Sequence, residues 1–308
     1  MDVFLMKFNA VEKFRVPPEK RIDLKDYDPG WAPKWAAAKG DKEGKKATKK
    51  QAFDLLKENR KKLAGMQELF WANNSYSMLI ILQGMDAAGK DGVISHVMSG
   101  VDPQGCQVTA FKTPSEEELD HDFLWRYSKA LPERGRIGIF NRSYYEDVLI
   151  VKVRPEVLEK NKLPPGSRDK KFWNQRYDDI NAFEKHLVSN GTIILKFFLN
   201  ISLEIQRQRL LKRLEEREKN WKFSLTDLSE RAKWKDYMDA YQELLEKTST
   251  EWAPWYVIPA DKKWVTRASV SEVLDTKIAE LDLKYPVLTE EQSVELKKGK
   301  ALLCQESK

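Results

Sequence analysis

The chain is poor in the residues from which covalent and metal frameworks are built. Among 308 residues there are 2 cysteines and 3 histidines. Cys106 and Cys304 cannot make a disulfide scaffold, and three histidines with no paired cysteines argue against a zinc site. Long apolar runs are also missing. Nothing approaches the roughly 20 residues of a membrane span, and Met1 to Phe14 contains no apolar stretch of a secretory leader. Together these absences predict a soluble chain of the reducing cytoplasm with no membrane partner. Acidic residues are fewer than basic ones, 48 against 54, which leaves a net charge of +6. That excess favours an anionic partner, whether nucleotide, other polyphosphate or nucleic acid, without choosing among them.

What is present is a globular composition, 41% hydrophobic and 33% charged. The length suits two domains, or one α/β domain with extensions. Residues 1–47 are weakly periodic, with turn signals at Val16-Pro17-Pro18 and Asp28-Pro29-Gly30 and a solvated loop expected over 40–46. They read as an N-terminal arm. From Thr48 to about Asn74, Phe53, Leu56, Leu63, Met66 and Phe70 recur at helix spacing. Strands are expected at 77–83, at 107–111 with Cys106 buried beside it, at 135–141, at 192–199 and at 255–259. Helical patterns separate them. Ser115 with Glu118 marks a helix start with a capping box, and further helices are expected at 144–153, 171–188, 203–219, 232–247 and 270–281. Five strands alternating with helices predict a doubly wound α/β fold, a parallel sheet covered on both faces. The domain runs over 48–286, and 287–308 reads as a tail with a loose terminal helix.

The informative stretch is Ser77 to Gly92. An apolar run of strand length ends in Gly84, followed by Met85, Asp86, Ala87, Ala88, Gly89 and Lys90, the G-x-x-x-x-G-K spacing of a phosphate-binding loop. Glycines let the backbone curl until its N–H groups converge, the following helix adds the positive end of its dipole, and the lysine adds a full charge. Asp91 stands where a Ser or Thr hydroxyl would normally reach Mg²⁺, and a second carboxylate, Asp86, lies inside the loop. A carboxylate beside a polyanion is repulsive unless a divalent cation lies between them, so Asp86 reads as a Mg²⁺ ligand. Gly84, Ala87, Ala88, Gly89, Lys90 and Asp91 form the phosphate cradle.

The third of these strands ends in Asn141-Arg142-Ser-Tyr-Tyr-Glu146-Asp147. Arg142 can fork onto phosphate oxygens. Adjacent helix positions point about 100° apart, so one of the two carboxylates faces the phosphates. Asp147 is the expected metal-site ligand, and Glu146 looks towards the acceptor or an ion pair. In the basic helix after the fourth strand, Arg209, Arg213 and Arg217 are four apart and share one stripe. Nucleotide kinases carry a mobile lid there, so these arginines and Lys222 are expected to bind phosphate, with the lid at about 205–232.

At this level of detail the chain resembles the family-2 polyphosphate kinases. The resemblance rests on Leu82-Gln-Gly-Met-Asp-Ala-Ala-Gly-Lys-Asp91, Phe140-Asn-Arg-Ser-Tyr-Tyr-Glu-Asp-Val148, Trp221-Lys-Phe-Ser224 and Ala253-Pro-Trp-Tyr-Val-Ile-Pro-Ala-Asp261. It extends from about residue 15 to 286. It implies a three-layer α/β/α P-loop kinase sandwich with a helical lid. The implied reaction is reversible phosphoryl transfer between inorganic polyphosphate and nucleotides, with Mg²⁺ or Mn²⁺ as cofactor. By motif, Asp86 and Lys90 are the loop's metal ligand and clamp, and Asn141, Arg142 and Asp147 are the second set. The Tyr-Glu-Asp version of the second motif resembles the class that accepts both AMP and ADP (class III). Also expected are ATP and guanine nucleotides as partners, no nucleic acid, and a homo-oligomer, dimer or tetramer. The lid departs from the pattern in lacking a proline before Lys219. An ATP-dependent nucleotide kinase and a nucleic-acid-binding P-loop protein are the competing readings. The first shares loop and lid, and the second needs a base-stacking or groove-reading module that the sequence does not show.

Overall fold

The computed structural model describes residues 8–33 and 41–306. Parts of the expected arm, including Gly40 of its loop, and the end of the tail lie outside the described residues. The elements run α1 (Ala10–Phe14), α2 (Asp41–Asn73), β1 (Ser77–Gln83), α3 (Lys90–Val97), β2 (Cys106–Ala110), α4 (Glu116–Leu119), α5 (Trp125–Ser128), β3 (Ile137–Asn141), α6 (Glu146–Val153) and α7 (Pro155–Leu158). They continue with α8 (Lys170–Ser189), β4 (Thr192–Asn200), α9 (Leu203–Glu215), α10 (Leu225–Ala232), α11 (Trp234–Thr248), β5 (Trp255–Pro259), α12 (Lys263–Ala279) and α13 (Glu290–Glu306).

The five strands form one parallel sheet in the order β2-β3-β1-β4-β5. The central strand β1 is buried along its whole length, as expected of a strand covered on both faces. Helices α2, α3 and α12 pack together as one covering layer, and α6, α8 and α11 as the other. This is the expected three-layer α/β/α sandwich. The chain leaves β1 towards β2 and β3 on one side and later returns to β4 on the other. The crevice beyond the carboxyl end of β1 is therefore a topological switch point, the place where α/β sheets bind ligands. Residues 8–33 pack on the same body. Phe8, Phe14 and Val16 are buried, and the Val16 N–H donates to the Trp255 carbonyl oxygen at 2.8 Å.

Several sequence expectations are corrected. Helix α2 begins at Asp41, inside the stretch read as a solvated loop. Good helix formers outweigh the single Gly44, and the Thr48 hydroxyl donates to the Gly44 carbonyl. The strand beside Cys106 lies at the sheet edge, so the thiol is half-buried; burial pushes it up to about 11. The Ser115–Glu118 capping box forms, but it opens a single turn. Tyr144 and Tyr145 stand in a turn, and the helix starts only at Glu146.

One feature of the core positions that turn. Lys196, in the middle of β4, is fully buried with Glu184 of α8, at 2.6 Å. Glu184 also accepts from the hydroxyls of Tyr144 at 2.8 Å and Tyr145 at 2.7 Å. Lys196 further donates to the Tyr145 hydroxyl and the Thr248 carbonyl. Glu184→Ala would leave an uncompensated buried ammonium, so it is expected to destabilise the fold by about 3–5 kcal/mol. Urea unfolding measures this; an unchanged midpoint would show that the pair does not hold the turn.

Candidate active site

The site grows from the carboxyl end of β1. Gly84 has φ +147°, and a Cβ there would stand 2.9 Å from the Leu199 carbonyl oxygen of β4, so only glycine lets the two backbones approach this closely. Ala87 (φ 63°) and Gly89 (φ 112°) complete the curl, and α3 starts at Lys90. The Lys90 ammonium is buried and donates to the Gly84 carbonyl at 2.5 Å and the Met85 carbonyl at 3.4 Å. Burial, followed by the Arg142 charge, brings it down to about 8, against the pull of Asp86, Glu146 and Asp91. Arg142, at the tip of β3, has φ 66°, a sparsely populated conformation for a residue with a side chain. Its guanidinium donates to Asp86 Oδ1 at 2.8 Å, and the charges of Glu146 and Asp86 hold it firmly protonated.

The remaining expected residues divide into those that face this loop and those that do not. The Asp91 carboxylate accepts from Asn141 at 3.0 Å and from Lys222 at 3.1 Å, which ties the loop to the lid. Burial raises this carboxyl, but the hydrogen bonds from Lys222 and Asn141 outweigh it and hold it below its usual range. Arg209 spends its guanidinium on the carbonyls of Ala87, Ala88, Ala260 and Asp261 and so braces the loop against the end of β5. Arg213 pairs with Asp227 at 2.9 Å across the lid. Arg217 is a correction. Glu216 is extended (ψ 109°), α9 stops at Glu215, and a 3₁₀ segment, Arg217–Lys222, follows. The four-residue stripe breaks there, and Lys219 lines the crevice where Arg217 does not.

The two carboxylates after β3 are a second correction. Glu146 is the one whose charge acts on Lys90 and Arg142. Asp147 instead lines a separate cavity of about 250 Å³ with Phe123, Arg126, Lys162 and Arg176. It accepts from the Tyr127 hydroxyl at 3.2 Å and lies 3.8 Å from Arg176. Burial pushes its carboxyl up to about 6, with Arg176 working in the other direction. Glu146 and Asp147 are the first two residues of α6 and point in different directions, and no local pattern says which of them meets the loop.

The main crevice is about 710 Å³ and is lined by six lysines and four arginines against three aspartates. Sequence reading missed several of its residues: Lys112, Lys212, Lys219, Trp221, Asp227, Lys263 and Arg267. Lys263 and Arg267 stand four apart at the start of α12, ahead of the helix expected from Val270. Among the described residues no group of three or more His, Cys, Asp or Glu side chains gathers as a metal cage. A Mg²⁺ that is completed by substrate phosphates needs only one or two protein carboxylates. Asp86 is the carboxylate facing the crevice beside Lys90 and Arg142.

Comparison with known proteins supplies the context. A family model described as "Polyphosphate kinase 2 (PPK2)" matches residues 45–286. The chain is 48% identical over 286 residues to an ADP-polyphosphate phosphotransferase of Rhodopseudomonas palustris, covering 92% of this chain and 95% of that one. It is 42% identical over 276 residues to an AMP/ADP-polyphosphate phosphotransferase of Meiothermus ruber, covering 90% and 96%. The crystal structure of polyphosphate kinase 2 from Arthrobacter aurescens superposes with a TM-score of 0.84 at 40% identity, over 99% of both chains.

Proposed function

The chain belongs to the polyphosphate kinase 2 family, and from that premise we propose that it catalyses reversible transfer of terminal phosphoryl groups from inorganic polyphosphate to nucleoside mono- and diphosphates, AMP to ADP to ATP. The observation that carries this reading is the excess of lysine and arginine in the crevice over the phosphate loop. A polyphosphate chain is a repeating anion with no base edge, and a track of cations is enough to hold it.

The roles follow from position. Lys90 and the loop clamp the reacting phosphates, and Arg142, steered by Asp86 and Glu146, sits where donor and acceptor phosphates meet. Asn141 and Arg142, which line the crevice, would serve the acceptor together with Glu146 behind them. Arg213 and Lys222 close the lid side through Asp227 and Asp91. A nucleotide phosphate is already a nucleophile, so no general base is needed; alignment and charge compensation carry the rate. Asp86 would hold Mg²⁺, which would supply positive charge to offset that of the phosphates.

The same reading includes AMP and ADP as alternative acceptors, on the Tyr145-Glu146-Asp147 motif, with guanine nucleotides as further acceptors. It also includes a homo-oligomer, dimer or tetramer, supported by exposed Val287, Leu288, Leu296 and Leu302 on the C-terminal segment. Among the described residues no helix is long and apolar enough to cross a membrane. The free cysteines support a reducing, cytoplasmic setting. A donor swap tests the central reading: AMP with polyphosphate should give ADP and ATP, whereas product from AMP only when ATP is the donor would favour an ordinary nucleotide kinase.

A further inference from the structure

We propose that Lys263 and Arg267 of α12, facing Lys212 and Lys219 of the lid segment, form a distal subsite for phosphates of a long polyphosphate chain that lie away from the reacting end, and that this subsite sets the preference for long chains over short ones. The proposal rests on the polyphosphate reading above and adds to it a determinant of chain length.

Both residues line the same crevice as Lys90. An Arg267 guanidinium nitrogen lies 3.6 Å from the place a Cβ on Gly92 would occupy, so it overlies the first turn of α3. The charged neighbours of the two regions differ. Around Lys90 they are Arg142, Asp86, Glu146 and Asp91. Around Lys263 they are Arg209, Arg267, Lys219 and Lys212, all cationic. Arg142, Arg213 and Lys222 each have a carboxylate partner within 3.1 Å. Among the described residues no ion pair is made by Lys263 or Arg267, which leaves an exposed lysine and a half-buried arginine beside further cations.

That arrangement is unfavourable for the fold by itself. Like charges repel, partial burial penalises both, and Lys263 is the first residue of its helix, where the dipole disfavours a cation. Burial and the neighbouring cations hold the Lys263 ammonium below its ordinary range. Packing gives no reason to collect these charges, and a multiply charged anion does.

The test is calorimetric binding of tripolyphosphate and of long-chain polyphosphate to the full chain and to the double variant Lys263→Gln/Arg267→Gln. The long-chain Kd is expected to weaken by about tenfold at low salt while the tripolyphosphate Kd stays within about twofold. The charge-conserving variant Lys263→Arg/Arg267→Lys should restore the long-chain affinity. Removing repulsive charges should leave the thermal midpoint unchanged or higher, so the variant is expected to fold. Equal weakening for both ligands, or an unchanged long-chain Kd, would overturn the subsite while leaving the functional reading in place. Failure of the unsubstituted chain to bind either polyphosphate would overturn both.

Discussion

Lys90→Met is expected to lower kcat/KM by about three orders of magnitude while leaving the fold at least as stable. Methionine keeps the length and removes the charge. The ammonium is buried against the Gly84 and Met85 carbonyls, and burial with the nearby Arg142 brings it down to about 8 from an ordinary lysine value. A folded-state value below the unfolded one means that the charged form is penalised by folding. The wild-type fold should therefore gain stability as pH rises through about 8, and Lys90→Met should lose that dependence. Activity should move in the opposite direction. Clamping phosphate needs the protonated form, so kcat/KM should be high below pH about 8 and fall above it. A Lys90→Met enzyme with near wild-type kcat/KM would remove Lys90 from the reaction.

Asp86→Asn is expected to cut turnover by about two to three orders of magnitude with the secondary structure intact. The amide matches the carboxylate in shape, so the hydrogen bond from Arg142, 2.8 Å in the native chain, can persist without the charge. What the variant loses is the anionic oxygen that would hold Mg²⁺ and that steers Arg142. The distinguishing readout is the Mg²⁺ titration of activity: Asp86→Asn should need a higher concentration for half-maximal rate, whereas Asp147→Asn should leave that midpoint unchanged, because Asp147 lies in the second cavity with Tyr127 and Arg176. Full activity of Asp86→Asn at ordinary Mg²⁺ would rule out the metal assignment.

The sheet was legible because strands buried on both faces read as unbroken apolar runs, and the loop because its glycines answer to backbone constraints that act locally. Lys196 shows the limit of that logic. It sits inside an apolar run, and its partner Glu184 comes from another element, so no local pattern announces a buried ion pair. Helix phase was the other weak point. Glu146 and Asp147 are neighbours on α6, and that Glu146 is the one whose charge acts on Lys90 depends on how the first turn of α6 sits in the fold. The lid stripe failed for a related reason, since an extended Glu216 ends α9 before Arg217 is reached. Lys263 and Arg267 were hidden because α12 starts at Lys263, seven residues before its apolar pattern becomes plain at Val270. Charges at helix starts read as solvated until the fold shows what they face.

The most direct test of phosphoryl transfer at this crevice is phosphorus NMR of a single sample holding the purified chain, Mg²⁺, long-chain polyphosphate and AMP. The AMP resonance should give way to those of ADP and then ATP as internal polyphosphate phosphates are consumed in step, and the same sample with Lys90→Met should stay unchanged. A folded wild-type chain that leaves AMP and polyphosphate untouched, or that releases only orthophosphate, would contradict the account.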